Sequence, residues 1–193
     1  MPSINSLQII PVTQERWGDM QTLFGPRGAT GGCWCMFLRV TAKEFDVQKG
    51  EGNRQEMGKI IDSGEVPGLI AYVDGVPAGW CSVAPREAFP RLERSRVAKR
   101  LDEQPVWSVI CFFIGKDYRR SGLSVKLLQG AVEYAKAQGA QIIEGYPVEP
   151  RKGSMPDVFA WQGLAEAFRE VGFIEVARRT ETRPMMRYVV EAN

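Results

Sequence analysis

A run of six residues, Arg119-Arg120-Ser121-Gly122-Leu123-Ser124, brings together two guanidinium groups, two hydroxyls and one residue without a Cβ. Each suits an anion. Arginine grips phosphate oxygens bidentately, the serines add donors, and at Gly122 no Cβ keeps a ligand off the backbone. If a helix begins here, its first amides lack intrahelical partners and its macrodipole makes that end positive. The chemistry is that of a phosphate-bearing ligand held at a helix N-terminus. In isolation R-x-x-G-x-S is a weak signal, because a glycine turn between two solvated arginines reads the same way. The flanking elements decide.

Upstream, Val106 to Ile114 is almost wholly apolar and rich in Val, Ile, Phe and Trp, which predicts a strand buried on both faces. Downstream, Leu123, Leu127, Ala131 and Ala135 form one stripe, with Leu128 and Val132 beside it. That spacing predicts a helix from about Leu123 to Gln138, stopped by Gly139. The run therefore sits between a buried strand and an amphipathic helix, where an anion site belongs. Two phosphate loops are excluded: there is no G-x-x-x-x-G-K-[ST] and no G-x-G-x-x-G.

At 193 residues the chain is most simply one domain, 1–193, long enough to bury a core. A hydrophobic fraction of 44% and a charged fraction of 25% are those of a soluble globular protein. A formal net charge of +2 argues for neither a nucleic-acid nor a membrane partner. No apolar run could span a bilayer and the N-terminus lacks a signal peptide's basic start, so a cytoplasmic location is expected. The four cysteines, Cys33, Cys35, Cys81 and Cys111, make no disulfide framework. No metal is expected, since Cys33-Trp34-Cys35 has no second paired motif. The absence of histidine excludes Ser-His and Cys-His hydrolase mechanisms.

In chain order, Leu7 to Pro11 reads as a strand. Thr13 then caps a helix through Trp17, Met20 and Leu23 or Phe24, ended by Gly25. Gly25 to Arg39 is glycine-rich and aromatic at once. Its Cys33, Trp34, Met36, Phe37 and Leu38 require an apolar partner, as a plug of the core or as a lid over a pocket. Thr41 to Glu44 and Asn53 to Glu56 resemble capping boxes, and a helix is predicted from Asn53 to Ser63. Gly68 to Val83 reads as a hairpin turning at Asp74-Gly75. Arg86 to Arg100 reads as a solvated basic helix or loop, or as a surface that draws in an anion. Gln141 to Tyr146 is a further strand and Pro147 to Pro156 a loop. A helix from Ala160 to Val171 stopped by Gly172 follows, then strands at Phe173–Thr180 and Pro184–Val190. The fold class is α/β: a mixed, mostly antiparallel central sheet with helices on both faces, in the order β-α-α-β-β-β-α-β-α-β-β.

The run I-x-x-x-Y-R-R-x-G-L-S-x-x-L-L resembles the acyl-CoA loop of the GNAT superfamily of N-acyltransferases, whose signature is [QR]-x-x-G-x-[GA]. Arg119, Gly122 and Ser124 stand at its fixed positions, with Ser124 in place of Gly or Ala. The hairpin A-Y-V-D-G-V-P-A-G-W and the late E-A-F-R-E-V-G-F are similar to the family as well. The likeness spans about Leu7 to Val190, and the element order is the family's. It implies acetyl-CoA as acyl donor and the primary amine of a small molecule or peptide as acceptor; it also allows a homodimer.

The resemblance further implies residue roles. Phe112, Phe113 and Ile114 would face the pantetheine arm through backbone groups. Arg119, Arg120, Ser121, Gly122, Leu123 and Ser124 would hold the pyrophosphate. The Val106–Ile114 and Gln141–Tyr146 strands would splay apart to admit the thioester. A backbone N–H of the central strand would stabilise the oxyanion. The family often has an acid Tyr four residues before the Gly of Gly-Phe; here that position is Phe168, which cannot donate a proton. Tyr146 is the substitute acid, or water is. Glu144 is the first candidate base, with Glu149 and Asp157 behind it; the structural alternative for Glu144 is an exposed strand-edge carboxylate. A second reading, kept open by Phe168, is a non-catalytic acyl-CoA-binding sensor or interaction module.

Overall fold

The computed structural model describes residues 5–151 and 160–191. Asp157 and residues 152–156 of the Pro147–Pro156 loop lie outside these residues. Seven strands form one sheet: β1 (Leu7–Pro11), β2 (Leu69–Val73), β3 (Val76–Pro85), β4 (Trp107–Ile114), β5 (Ile142–Gly145), β6 (Ile174–Thr180) and β7 (Arg183–Val189). Their spatial order is β1-β2-β3-β4-β5-β7-β6. Every pairing is antiparallel except β4 with β5. The helices are α1 (Trp17–Phe24), α2 (Ala42–Gln48), α3 (Glu51–Asp62), α4 (Leu123–Ala137) and α5 (Ala165–Val171). Among the described residues no helix is long and apolar enough to cross a membrane.

Strand alternation sorts side chains to the two faces. Leu69, Ala71 and Val73 of β2 meet Leu123, Leu127, Leu128, Ala131 and Ala135, the stripe that the spacing in α4 predicts, together with Ala165 and Phe168 of α5. Ile70 of β2 and Trp80 of β3 face the other way, onto Met20 and Phe24 of α1 and Met57 and Ile61 of α3. Gly139 (φ 89°) follows the end of α4 and Gly172 (φ 101°) that of α5, the left-handed conformation that favours glycine there.

Four local expectations are corrected. The Thr41 capping box is real and opens an additional helix, α2, so three helices precede β2. The Asn53 capping box is not: α3 starts at Glu51, and Asn53 is buried inside it with Nδ2 donating to the Gly32 carbonyl at 3.1 Å. α5 begins at Ala165 rather than Ala160, because Gly163 (φ 86°) and extended Leu164 interrupt any helix before it. The stretch from Arg86 is not simply solvated: Arg86 is 1% exposed and reaches into the interior.

Candidate active site

The site is organised by a fork. β4 and β5 run side by side from Trp107/Ile143 to Val109/Gly145, and β5 then ends while β4 continues to Ile114. Phe168 of α5 fills the opening. Its ring is fully buried and meets Phe112 edge-on at 6.2 Å and Phe173 at 4.9 Å. It also lies against Gly145 and Gly163, neither of which has space for a Cβ on that side. Beyond the fork the chain returns at Trp161, whose carbonyl accepts the Phe112 N–H at 2.6 Å. The Phe112 amide, one of the central-strand groups expected to face a ligand, is thus already bonded to this chain.

A slot of about 340 Å³ opens here. Phe112, Phe113 and Ile114 of β4 form one wall; Arg119, Arg120 and Ser124 form the end at the α4 N-terminus. Six of the nine residues expected at the phosphate loop and strand therefore line one cavity. Arg119 Nε donates to the Ile114 carbonyl at 3.3 Å, tying loop to strand. The other three are placed differently. Ser121 donates its hydroxyl to the Tyr118 carbonyl at 2.6 Å. Leu123 is buried in the core under α4. Gly122 adopts φ 79°, and a Cβ built there meets nothing within 4 Å, so the space above this turn is open. The helical ladder starts with Val125 N–H on the Gly122 carbonyl at 3.0 Å, which leaves the preceding amides of Leu123 and Ser124 at the positive end of α4.

A second cavity of about 320 Å³ adjoins the slot and shares Thr30, Phe112, Phe113 and Trp161 with it. The thiols of Cys33, Cys35 and Cys111 and the rings of Phe37, Phe45 and Trp161 line it. Two local features aim these groups. In β4 the pairing steps from Cys111 opposite Ser82 to Val109 opposite Val83, so Ile110 is a bulge residue, and both Ile110 and Cys111 line the chamber. In the Gly25–Arg39 loop, Ala29 (φ 66°), Trp34 (φ 43°) and Cys35 (φ 58°) all lie in the left-handed region. Such strain concentrates at functional sites and needs tight surroundings to persist. The surroundings here are Trp34, Cys35 and Met36, buried against Phe24, Met57 and Trp80. The loop is thus core plug and pocket wall together, not one or the other.

All four cysteines are free thiols. Cys35 accepts from Trp80 Nε1 at 3.3 Å. Hydrogen bonding from the Cys111 thiol, helped by Trp80 and by the charge of Arg39, holds Cys35 below its ordinary pKa. Cys111 is pushed well up by the same contact and by burial, and Cys33 is raised chiefly by burial.

Glu144 and Tyr146 line neither cavity. They belong to a buried polar network on β5. Glu144 Oε1 accepts from Arg86 Nη1 at 3.0 Å and from the Tyr146 hydroxyl at 2.6 Å; Oε2 accepts from Arg187 Nε at 2.8 Å. Arg86 also donates to Tyr146 Oη at 2.6 Å, to Glu93 at 2.8 Å and to the Ala98 carbonyl at 2.8 Å. Arg187 continues to Asp102 at 2.6 Å. Glu144 is 1% exposed on an interior strand, so it is not the edge carboxylate of the alternative reading. Burial, with the Glu144 charge adding to it, pushes the Tyr146 hydroxyl well above its usual range. Glu149 is the surface partner of Arg169 and Arg178.

Sequence reasoning missed Trp161, which walls both cavities. Its only signal is an aromatic residue two positions before a glycine, ahead of an amphipathic stretch.

The sequence profile of the acetyltransferase (GNAT) family matches residues 34–155, and the chain belongs to that family. By that membership it is an N-acetyltransferase. No curated protein sequence matches it. A GNAT-family acetyltransferase from Streptococcus agalactiae superposes with TM-score 0.57 at 13% identity, over 98% of this chain and 99% of that one. A putative acetyltransferase from Salmonella typhimurium, solved with its cofactor acetyl-CoA, gives 0.55 at 12% identity, over 98% and 96%. An N-acetyltransferase from Thermoplasma acidophilum in complex with coenzyme A gives 0.51 at 13%, over 96% and 99%. At these identities the superpositions speak for the fold.

Proposed function

We propose that this N-acetyltransferase moves an acetyl group from acetyl-CoA to the primary amine of a small molecule or peptide by direct attack. The observation that carries the reading is the shared wall of the two cavities. The slot ends on Arg119, Arg120 and the N-terminus of α4, and Thr30, Phe112, Phe113 and Trp161 line both it and a separate, adjoining chamber. One ligand with a phosphate end and another without would meet where they join.

The slot residues fit the donor. Arg119, Arg120 and Ser124 would hold its phosphates, and the open space over Gly122 gives an anion access to the first amides of α4. The bound thioester supplies an activated acetyl group. The chain's own part is orientation: β4 and Trp161 wall the junction, and Phe168, packed edge-on against Phe112 behind it, adds no acid. Glu144 and Tyr146 act in this reading as positioning residues, since their polar atoms are consumed in fixing β5. We also read residues 1–193 as one acetyltransferase domain. A cytoplasmic location is supported by the four free thiols.

The test is a thermal shift with acetyl-CoA and CoA, with ATP and NAD as controls, followed by thiol release over a panel of amines. A ligand at about a hundred times its dissociation constant adds roughly 2.7 kcal/mol, and each kcal/mol moves the midpoint of a domain this size by about 2–4 °C. Selective stabilisation by the CoA compounds with amine-dependent thiol release is the expected result. Binding without thiol release would instead favour the acyl-CoA sensor, a reading to which the buried Phe168 lends its one support. No stabilisation at millimolar acetyl-CoA would overturn both.

A further inference from the structure

Resting on the reading above, we infer that the acceptor is a small aromatic amine that enters the chamber uncharged. Among the described residues lining the chamber there is no Asp, Glu, Lys or Arg. The carboxylate nearest in sequence to β4's partner strand, Glu144, is enclosed by Arg86, Arg187 and Tyr146. The sulfur of Cys35, the wall thiol set deepest in the core, is already engaged by Trp80 Nε1 at 3.3 Å. An alkylammonium would therefore be buried without a counter-charge, which is strongly unfavourable. An amine as basic as a lysine side chain is neutral in only roughly one molecule in a thousand at pH 7.4. An amine conjugated to a ring is already neutral there.

The walls suit a ring. Phe37 meets Phe45 edge-on at 5.3 Å and Trp161 edge-on at 5.7 Å, so the three aromatics present a box of faces and edges. Phe37 is held from outside by Arg91, whose guanidinium lies 4.0 Å over the ring while Nη1 donates to the Phe37 carbonyl at 2.8 Å. Thiol sulfurs on the remaining side are soft, polarisable contacts. A volume of about 320 Å³ lies at the small end for ligand pockets, enough for one or two rings.

The proton balance closes without a protein acid or base. The amine lone pair forms the new C–N bond to the acetyl carbon, and the C–S bond breaks with its electron pair passing to sulfur. The nitrogen, made acidic by the ring and by the forming bond, gives its proton to that sulfur directly or through water. The products are the amide and the free thiol. This accounts for a site with Phe168 where an acid is common and with no carboxylate in the wall.

The experiment measures kcat/KM by thiol release at saturating acetyl-CoA for aniline, benzylamine and spermidine. Benzylamine keeps the ring but is strongly basic; spermidine is basic and has no ring. The expected result is aniline at least tenfold above benzylamine, spermidine at background, and an aniline rate that is flat from pH 6 to 9. Benzylamine equal to or above aniline overturns the uncharged entry, and spermidine as the best substrate overturns the inference whole; acetyl transfer stands in both cases. Stabilisation by acetyl-CoA with no turnover of any of the three also overturns it, while failure to bind acetyl-CoA overturns the proposed function itself. Phe37→Ala should raise KM for aniline several-fold and leave acetyl-CoA affinity unchanged; an unchanged KM removes the aromatic box from the account.

Discussion

Gly145 faces the ring of Phe168 with no room between them. A Cβ on Gly145 would stand 2.9 Å from both Cδ1 and Cζ of that ring, and closer still to Cε1. The same ring would lie 2.8 Å from a Cβ on Gly163. Two glycines from separate segments thus make the socket of one phenylalanine, and that wedge is what parts β5 from β4.

Gly145→Ala should therefore act as an overpacking change at the fork. The expected cost is about 1–3 kcal/mol, read as a fall of several degrees in the thermal midpoint. Acetyl-CoA affinity should fall with it, because the displaced ring borders Phe112 of the slot. A variant with unchanged midpoint and affinity would show that the ring has space to move.

Glu144→Ala should be among the most destabilising single changes in the chain. It would leave Arg86 and Arg187 buried without their shared carboxylate, and breaking such a cluster costs roughly 3–5 kcal/mol. Glu144→Gln keeps the shape and should cost less. In both variants the pH dependence of kcat should match that of the parent protein. A rate lost selectively at low pH, with stability retained, would restore Glu144 as the base.

Gly122→Val tests the phosphate turn. The fold should survive, since nothing stands within 4 Å of the added Cβ. The left-handed φ of 79° would add strain of about 1–2 kcal/mol. The stabilisation by acetyl-CoA should disappear, because the branch occupies the anion's approach to the α4 amides. Retained stabilisation would move the phosphates elsewhere.

Stability should decline in acid. Hydrogen bonds from Arg187 hold Asp102 below its ordinary pKa, and Arg169 and Arg178 do the same for Glu149. Carboxyls depressed in the folded state bind fewer protons than they do in the unfolded chain, so their contribution is complete above the ordinary carboxylate range near pH 4 and is lost as pH falls through the lowered values. Both groups are solvent-facing, so salt should weaken the effect. A thermal midpoint that does not drop between pH 5 and pH 3 at low salt would contradict it.

The parts of this architecture that obey a local rule were legible. The α4 stripe, the glycine after it, the hairpin at Asp74-Gly75 and the arginine turn each follow from residues within a few positions of one another. What was not legible depends on distant partners. Arg86 reads as one more basic residue in a polar stretch, because two of its acceptors, Glu144 on β5 and Tyr146 just after it, lie 58 and 60 positions away. Asn53 mimics a cap because its true partner is a carbonyl in the glycine loop. Trp161 reads as the start of a helix because only the positive φ of Gly163 and the extended Leu164 separate it from one. The joining of slot and chamber needs all of these placements at once.

The bulge at Ile110 sets the phase of the central strand. Val109 joins the core beneath α4, and Phe112 reaches both that core and the two cavities, while Ile110 and Cys111 line the chamber and Phe113 lines chamber and slot. Counted by twos from Val109, a straight strand would send Cys111 and Phe113 under the helix and Phe112 to the opposite side. Ile110 is the supernumerary residue, and removing it would leave every neighbour on its present face. Inserting a residue next to it, or ironing the kink flat, would exchange the strand residues that face α4 for those that face the chamber. The parity of one strand therefore decides which of its side chains wall the chamber, and a length change of a single residue in β4 has opposite consequences according to its sign.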